Sequence, residues 1–210
     1  MSDRSTFLRN KGDSYSNKNP IKNRNADEKR KSLQTEFHLK RGYVQVYFGN
    51  GKGKTTAALG LAVRAAGCGL KVYIAQFIKG LVYSELKCLE KLKDSITVKQ
   101  FGRGCFIKKT PTEEDIEAAK KGMSEVREVI ASGRYDVVIL DEITVAEYFG
   151  LVSVDEILGF IDIKPENVEL VLTGRKAAPR IIDAADLVTE MVEVKHYYNE
   201  GIQARRGIEK

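Results

Sequence analysis

The segment from Tyr43 to Thr56 constrains this chain most. It begins as an apolar run (Tyr43, Val44, Gln45, Val46, Tyr47, Phe48) and passes through a turn of glycine and lysine (Gly49, Asn50, Gly51, Lys52, Gly53). It then enters a helix at Lys54-Thr55-Thr56. A buried strand feeding such a turn into a helix belongs to α/β architecture, and the turn has a chemistry of its own. Backbone N–H groups of Gly49 to Lys54 are expected to form a concave nest for phosphate, reinforced by the positive end of the following helix. Lys54 supplies a cation for phosphate oxygens, and the Thr55 hydroxyl is placed to ligate Mg²⁺. The turn departs from the usual pattern G-x-x-x-x-G-K-S/T: counting back from Gly53, Phe48 stands where the first glycine belongs. The loop is therefore one residue short, and it carries an extra cation, Lys52.

The elements that follow alternate. Strands are expected at Tyr43–Phe48, Lys71–Phe77, Ile96–Phe101, Val137–Leu140, Glu169–Leu172 and Leu187–Val194. Between them, a helix over Lys54–Ala66 has Ala, Leu and Val on most faces, so it reads as largely buried. A short helix fits Ser84–Leu92. Thr110, Pro111 and Glu113 read as a capped helix start, with an apolar stripe at Ile116, Ala119, Met123, Val126 and Ile130 ending at Gly133. Ser153 with Glu156 offers a second capping box, and another helix follows Pro179. This order predicts a P-loop NTPase-like α/β fold, a mainly parallel sheet with helices on both faces. Ligands of such sheets bind at the carboxyl ends of the strands. The phosphate turn, Gln76-Phe77, Gly102-Arg103, Asp141-Glu142 and Thr173-Gly174-Arg175 all fall there and converge on one rim.

Charge divides the chain. Residues 1–41 hold 11 Lys/Arg against 5 Asp/Glu, whereas residues 42–210 hold 24 of each. The whole excess of +6 sits in the arm. Residues 1–32 read as a basic arm, disordered to about residue 30, and residues 33–210 as the globular domain. The arm reads as a solvated tail, with attraction to nucleic acid or anionic surfaces as the alternative. It lacks the apolar core of a secretory signal, and no stretch approaches the roughly 18 apolar residues of a membrane span. Cys68, Cys88 and Cys105 stand far apart, which argues against a disulfide framework or zinc site and for a reducing cytosol. Cys68 and Cys88 read as small buried groups. His38 and His196 suggest no metal site.

At the rim, Asp141-Glu142 closes an apolar strand, the position from which P-loop proteins hold Mg²⁺ opposite the loop Ser/Thr. Sequence leaves open which carboxylate meets the ion. Arg175 is a candidate phosphate clamp or a surface arginine. Arg103 and Lys79 occupy similar positions. Phe77 and Phe106 are candidates for pocket walls or for core, and the aromatic tail after Val194 is a candidate to fold back over the site. No Ser-His-Asp or Cys-His set is found, and no general base beyond Asp141 and Glu142. That suits a reaction needing only positioning and charge stabilisation.

On these residues the chain resembles the corrinoid adenosyltransferases. The likeness rests on Gly49 to Ala58, Gln76 to Gly80, Leu140-Asp141-Glu142, Leu172 to Arg175, Val194-Lys195-His196 and the ending Gly201 to Arg205 with Gly207-Ile208-Glu209. It covers the chain from about Arg41 onward. The resemblance implies transfer of the 5′-deoxyadenosyl group of ATP to Co(I) of cobalamin or a precursor, with release of triphosphate. Lys54, Lys52 and Thr55 would be the catalytic residues. Gly49 to Thr56 (Asn50, Gly51, Gly53 and Thr56 among them) and Arg175 would bind ATP. Thr55, Glu142 and Asp141 would hold Mg²⁺, while Phe106, Gly104 and Phe77 would meet the corrinoid. It also implies a homodimer in the cytoplasm, an N-terminal segment near Leu33 to Arg41 (Phe37 and His38 included) closing over an active site, and a flavin-type reductase supplying Co(I). Many relatives carry a tryptophan after the Gly-Arg-Gly turn; this chain has none and reads Cys105-Phe106-Ile107. The rival readings are a P-loop ATPase or small-molecule kinase, and a nucleic-acid-binding ATPase tethered by the arm.

Overall fold

Six strands, all parallel, form the sheet of the computed structural model, which describes residues 38–81, 83–103 and 110–209. They are β1 (Val44–Phe48), β2 (Val72–Phe77), β3 (Ile96–Phe101), β4 (Val137–Asp141), β5 (Glu169–Thr173) and β6 (Leu187–Glu190), in the spatial order β3-β2-β4-β5-β1-β6. The register is parallel throughout, for example Val46 opposite Leu172 and Ile74 opposite Ile139. Every residue of β2 and β4 is buried, as sequences without polar alternation require when both faces of a sheet are covered. The α/β expectation holds.

The helices are α1 (Lys54–Gly67), α2 (Ser84–Leu89, continued by a 3₁₀ turn at Glu90–Leu92), α3 (Glu113–Ser132), α4 (Ile143–Tyr148), α5 (Val154–Ile163) and α6 (Pro179–Asp183). Two apolar clusters sandwich the sheet. One gathers Phe77, Phe101, Val126, Ile130, Leu140, Ile157 and Phe160, and the other Ala58, Ala62, Ile74, Leu89, Ile139 and Val171.

Several local expectations are corrected. Helix α1 is not buried all round: Ala58, Ala62 and Ala65 face the sheet while Val63 is exposed. Helix α3 starts later than Thr110, because Thr112 is its cap: the Thr112 hydroxyl accepts from the Asp115 amide at 3.3 Å, and the Asp115 carboxylate accepts from the Thr112 amide at 2.9 Å. Its stop at Gly133, left-handed at φ 61, is as expected. Strand β6 ends at Glu190 instead of Val194 and is exposed along its length. Its partner β1 turns away at Gly49, so after the Met191 amide reaches the Phe48 carbonyl at 2.8 Å no strand remains to pair with. Cys68 and Cys88 are exposed, not buried. The short α4, inserted directly after Glu142, was not anticipated.

Candidate active site at the carboxyl ends of the strands

The turn after β1 takes its shape from the sheet's last strand. Gly49 has φ 110 and Gly53 φ 125, conformations that side chains rarely adopt. A Cβ on Gly49 or Gly51 would fall 2.5 or 2.6 Å from the Met191 carbonyl oxygen. The Gly51 amide donates to that same oxygen at 2.6 Å, and the Gly49 amide donates to the Arg175 carbonyl at 3.0 Å. These two N–H groups are therefore taken by backbone and do not point into a phosphate nest, a correction to the expectation for Gly49 to Lys54. Among the described residues the amides of Asn50, Lys52, Gly53 and Lys54 make no such bond and remain as donors. Helix α1 opens beside them with no side-chain cap and no acidic residue in its first turn. Its positive end is left to a ligand.

Lys54 is only 9% exposed and folds back to donate to the Gly51 carbonyl at 2.7 Å. Burial pulls its ammonium below the ordinary lysine value, Arg175 and Lys79 add to that, and Glu142 and Asp141 oppose it. Lys52 points elsewhere. Its ammonium donates to the Ile208 carbonyl at 3.1 Å and stands 4.0 Å from the Glu209 carboxylate. The tail thus comes back to the loop. Glu209 is itself bound to Tyr197 and to Arg205, whose guanidinium and amide hold its carboxyl down at about 2.

Asp141, the last residue of β4, is the centre of the rim. One carboxylate oxygen accepts from the Thr55 hydroxyl at 3.0 Å and the Thr173 hydroxyl at 2.8 Å. The other accepts from Lys79 at 2.7 Å and Gln76 at 3.2 Å. Gln76 is oriented in turn by Gln100 on β3, at 3.1 Å. Helix α1, strands β2 and β5 and the turn after β2 thus deliver four polar groups to one carboxylate. Burial works against the Lys79 charge, but the Asp141 carboxylate outweighs it and holds the ammonium above its usual value. Glu142, left-handed at φ 60, makes no side-chain hydrogen bond to the described residues; burial first, then Asp141, raises its carboxyl above the usual range.

The oxygen donors of Thr55, Asp141 and Glu142 suit a hard cation. Among the described residues there is no group of three or more His, Cys, Asp or Glu able to hold a metal alone. Two carboxylates and a hydroxyl fit Mg²⁺, which usually completes its shell with substrate phosphates and water.

The remaining expected residues are distributed as follows. Arg175 is exposed beside the loop. Asn50 is exposed on the loop and Thr56 in the first turn of α1. Arg103 turns away to pair with Glu114 and Thr112. Phe77 is fully buried in the core, its ring 5.8 Å from that of Phe101, so it offers a corrinoid no surface; that expectation is corrected. Phe106 and Gly104 lie outside the described residues, as do Cys105, Phe37 and the 32/33 boundary. His38 bonds Asp136 at 2.7 Å, at the amino end of β4 and opposite this chain's own rim. Sequence reasoning put Gln76 and Thr173 on the rim but gave neither a role, and it missed Met191. Their only signal was position at a strand end.

No helix among the described residues is long and apolar enough to cross a membrane. Residues 40–209 match the family ATP:corrinoid adenosyltransferase BtuR/CobO/CobP. The chain is 36% identical over 170 residues to a corrinoid adenosyltransferase of Pseudomonas aeruginosa, covering 80% of this chain and 84% of that one. It is 35% identical over 191 residues to one from Sinorhizobium sp, covering 90% and 88%. To the corrinoid adenosyltransferase CobA of Salmonella typhimurium it is 34% identical over 170 residues, covering 80% and 86%.

Proposed function

The chain belongs to the ATP:corrinoid adenosyltransferase family, and we propose that it carries the 5′-deoxyadenosyl group of ATP to the Co(I) centre of a corrinoid, cobalamin or a precursor, in adenosylcobalamin synthesis or salvage. The observation that carries this reading is what the rim gathers: the Lys54 ammonium and free loop amides, beside the Asp141 carboxylate, which is already engaged by two hydroxyls, Lys79 and Gln76. Such a set stabilises developing negative charge. Among the described residues of the rim, the one carboxylate without a hydrogen bond is Glu142, which this reading gives to the metal, so no base is set aside to take a proton.

None is needed. The Co(I) electron pair forms the bond to C5′ while the C5′–O bond breaks, and the C5′–O bonding pair leaves on the triphosphate oxygen. No proton moves and no phosphoryl group is transferred. Lys54, the amides of Asn50, Lys52 and Gly53, and Arg175 receive the growing charge on the leaving group. Because such donors are preorganised, each is worth about 3 kcal/mol of barrier. Thr55 with Glu142 and Asp141 would hold Mg²⁺, which when bound neutralises phosphate charge. Glu142, with no hydrogen bond of its own, is the carboxylate we assign to direct contact, and Asp141 orients the Thr55 hydroxyl.

The same reading makes the enzyme a cytoplasmic homodimer served by a flavin-type reductase. Residues 1–32 are read as a basic arm, and the segment of about residues 33–41 as the piece that closes over an active site. Gly104 and Phe106 border the corrinoid, with Phe106 as the apolar wall that excludes water.

Anaerobic incubation with ATP, Mg²⁺ and chemically reduced cobalamin tests the proposal. A light-sensitive cobalt–carbon product is expected, with one triphosphate released per corrinoid. Release of ADP or orthophosphate without corrinoid alkylation would overturn it.

A further inference from the structure

Lys79 leaves β2 through an unusual turn. Ile78 is left-handed at φ 63, a strained conformation for a β-branched residue. Two contacts hold it there. The Ile78 amide donates to the Phe101 carbonyl at 3.2 Å. Gly102 lies so close that a Cβ on it would fall 2.4 Å from the Ile78 carbonyl carbon and 2.7 Å from the Lys79 nitrogen. The turn sends the lysine stem back across the sheet end, past the Tyr83 ring, 5.6 Å from the ammonium.

The ammonium comes to rest 2.7 Å from Asp141 and 3.2 Å from the Thr55 hydroxyl oxygen. Thr55 has one proton and gives it to Asp141. Its oxygen is left to accept, and in this structure it accepts from Lys79. That oxygen is the atom a P-loop threonine offers to its metal. A divalent ion bound to that oxygen would be a close neighbour of the ammonium, in a largely buried place where like charges repel strongly.

We propose that Lys79 is a resident cation of the metal seat. In the nucleotide-free enzyme its ammonium fills the place between Thr55 and Asp141 and keeps a free divalent ion out. It yields when phosphate oxygens arrive to take the ammonium as the ion enters. This rests on Thr55 and its neighbouring carboxylates being the metal's ligands. Metal and nucleotide then enter together, and the fixed turn at Ile78 returns the lysine once product has left.

Mn²⁺ binding followed by electron paramagnetic resonance on the full-length protein, with and without ATP, tests this. Wild type should bind Mn²⁺ weakly without ATP and tightly with it. Lys79→Met should bind Mn²⁺ without ATP at least about tenfold more tightly than wild type, while Lys79→Arg, which keeps the charge, should resemble wild type. Added Mn²⁺ should also raise the melting temperature of Lys79→Met more than that of wild type. An unchanged Mn²⁺ affinity in Lys79→Met, or an equal gain in Lys79→Arg, overturns the proposal. Should Lys79→Met not fold, wild type decides alone: equal Mn²⁺ affinity with and without ATP overturns it. If no form binds Mn²⁺ even with ATP, the assignment of Thr55 and the carboxylates as ligands falls first, and the resident-cation role falls with it.

Discussion

Thr173 holds Asp141 from the neighbouring strand. Its hydroxyl donates to the Asp141 carboxylate at 2.8 Å and accepts from the Glu142 amide at 3.0 Å, so one buried side chain ties both acidic residues of the rim. Thr173→Val keeps the shape and removes both bonds. It should lower unfolding free energy by about 2 kcal/mol in urea titration, since a hydrogen bond to a buried charge is lost and an amide is orphaned. Unchanged stability would mean that Asp141 does not depend on this clamp.

Glu142 sets a pH dependence. Burial and the Asp141 carboxylate raise its carboxyl above the ordinary 4.5. A carboxyl that binds its proton more tightly in the folded chain supports stability fully below its unfolded value, and that support is lost as pH rises through the folded one. Glu142→Gln escapes the loss. Metal-free wild type should therefore fall behind Glu142→Gln as pH rises above 4.5, in denaturant melts at several pH values. A gap that shrinks with rising pH would contradict the assignment.

Lys54→Ala removes the buried ammonium of the phosphate loop. Turnover should fall on the order of a hundredfold or more in anaerobic assay, the size expected for one preorganised donor, with the fold retained by circular dichroism. Near-normal turnover would end the role given to the loop.

Gly51→Ala tests the loop's dependence on the end of β6. The added Cβ would meet the Met191 oxygen at 2.6 Å and the Val192 carbonyl carbon at 2.8 Å, both backbone and unable to swing aside. A loss of about 2 kcal/mol in stability is expected, with weaker ATP binding by calorimetry.

Phe106→Ala should act on corrinoid use alone. KM for the corrinoid should rise, with KM for ATP unchanged, in steady-state kinetics. An equal effect on both substrates would remove Phe106 from the corrinoid side.

Much of this is legible in the sequence. Alternation of strands and helices implied the parallel sheet, and its carboxyl rim brought Thr55, Asp141 and Glu142 together. What was not legible has physical reasons. Lys79 is one lysine after one strand, and only the left-handed Ile78, backed by Gly102, directs it to Asp141. Gly49 and Gly51 read as phosphate-binding glycines, yet their amides serve Arg175 and Met191, because β1 lies between β5 and β6 and the chain order does not announce that. Phe77 was misjudged because a strand-end aromatic looks the same in sequence whether it faces a ligand or Phe101.

The bond from Gly51 to Met191 has a consequence for synthesis of the chain. The two residues are separated by most of the described chain, and β6 is the last of the six strands in sequence. Domains fold as their sequence becomes available, so β1 and α1 exist long before the residue that shapes the turn between them. A chain ending before β6 keeps the sequence of the other five strands but lacks the Met191 oxygen that holds the Gly51 amide.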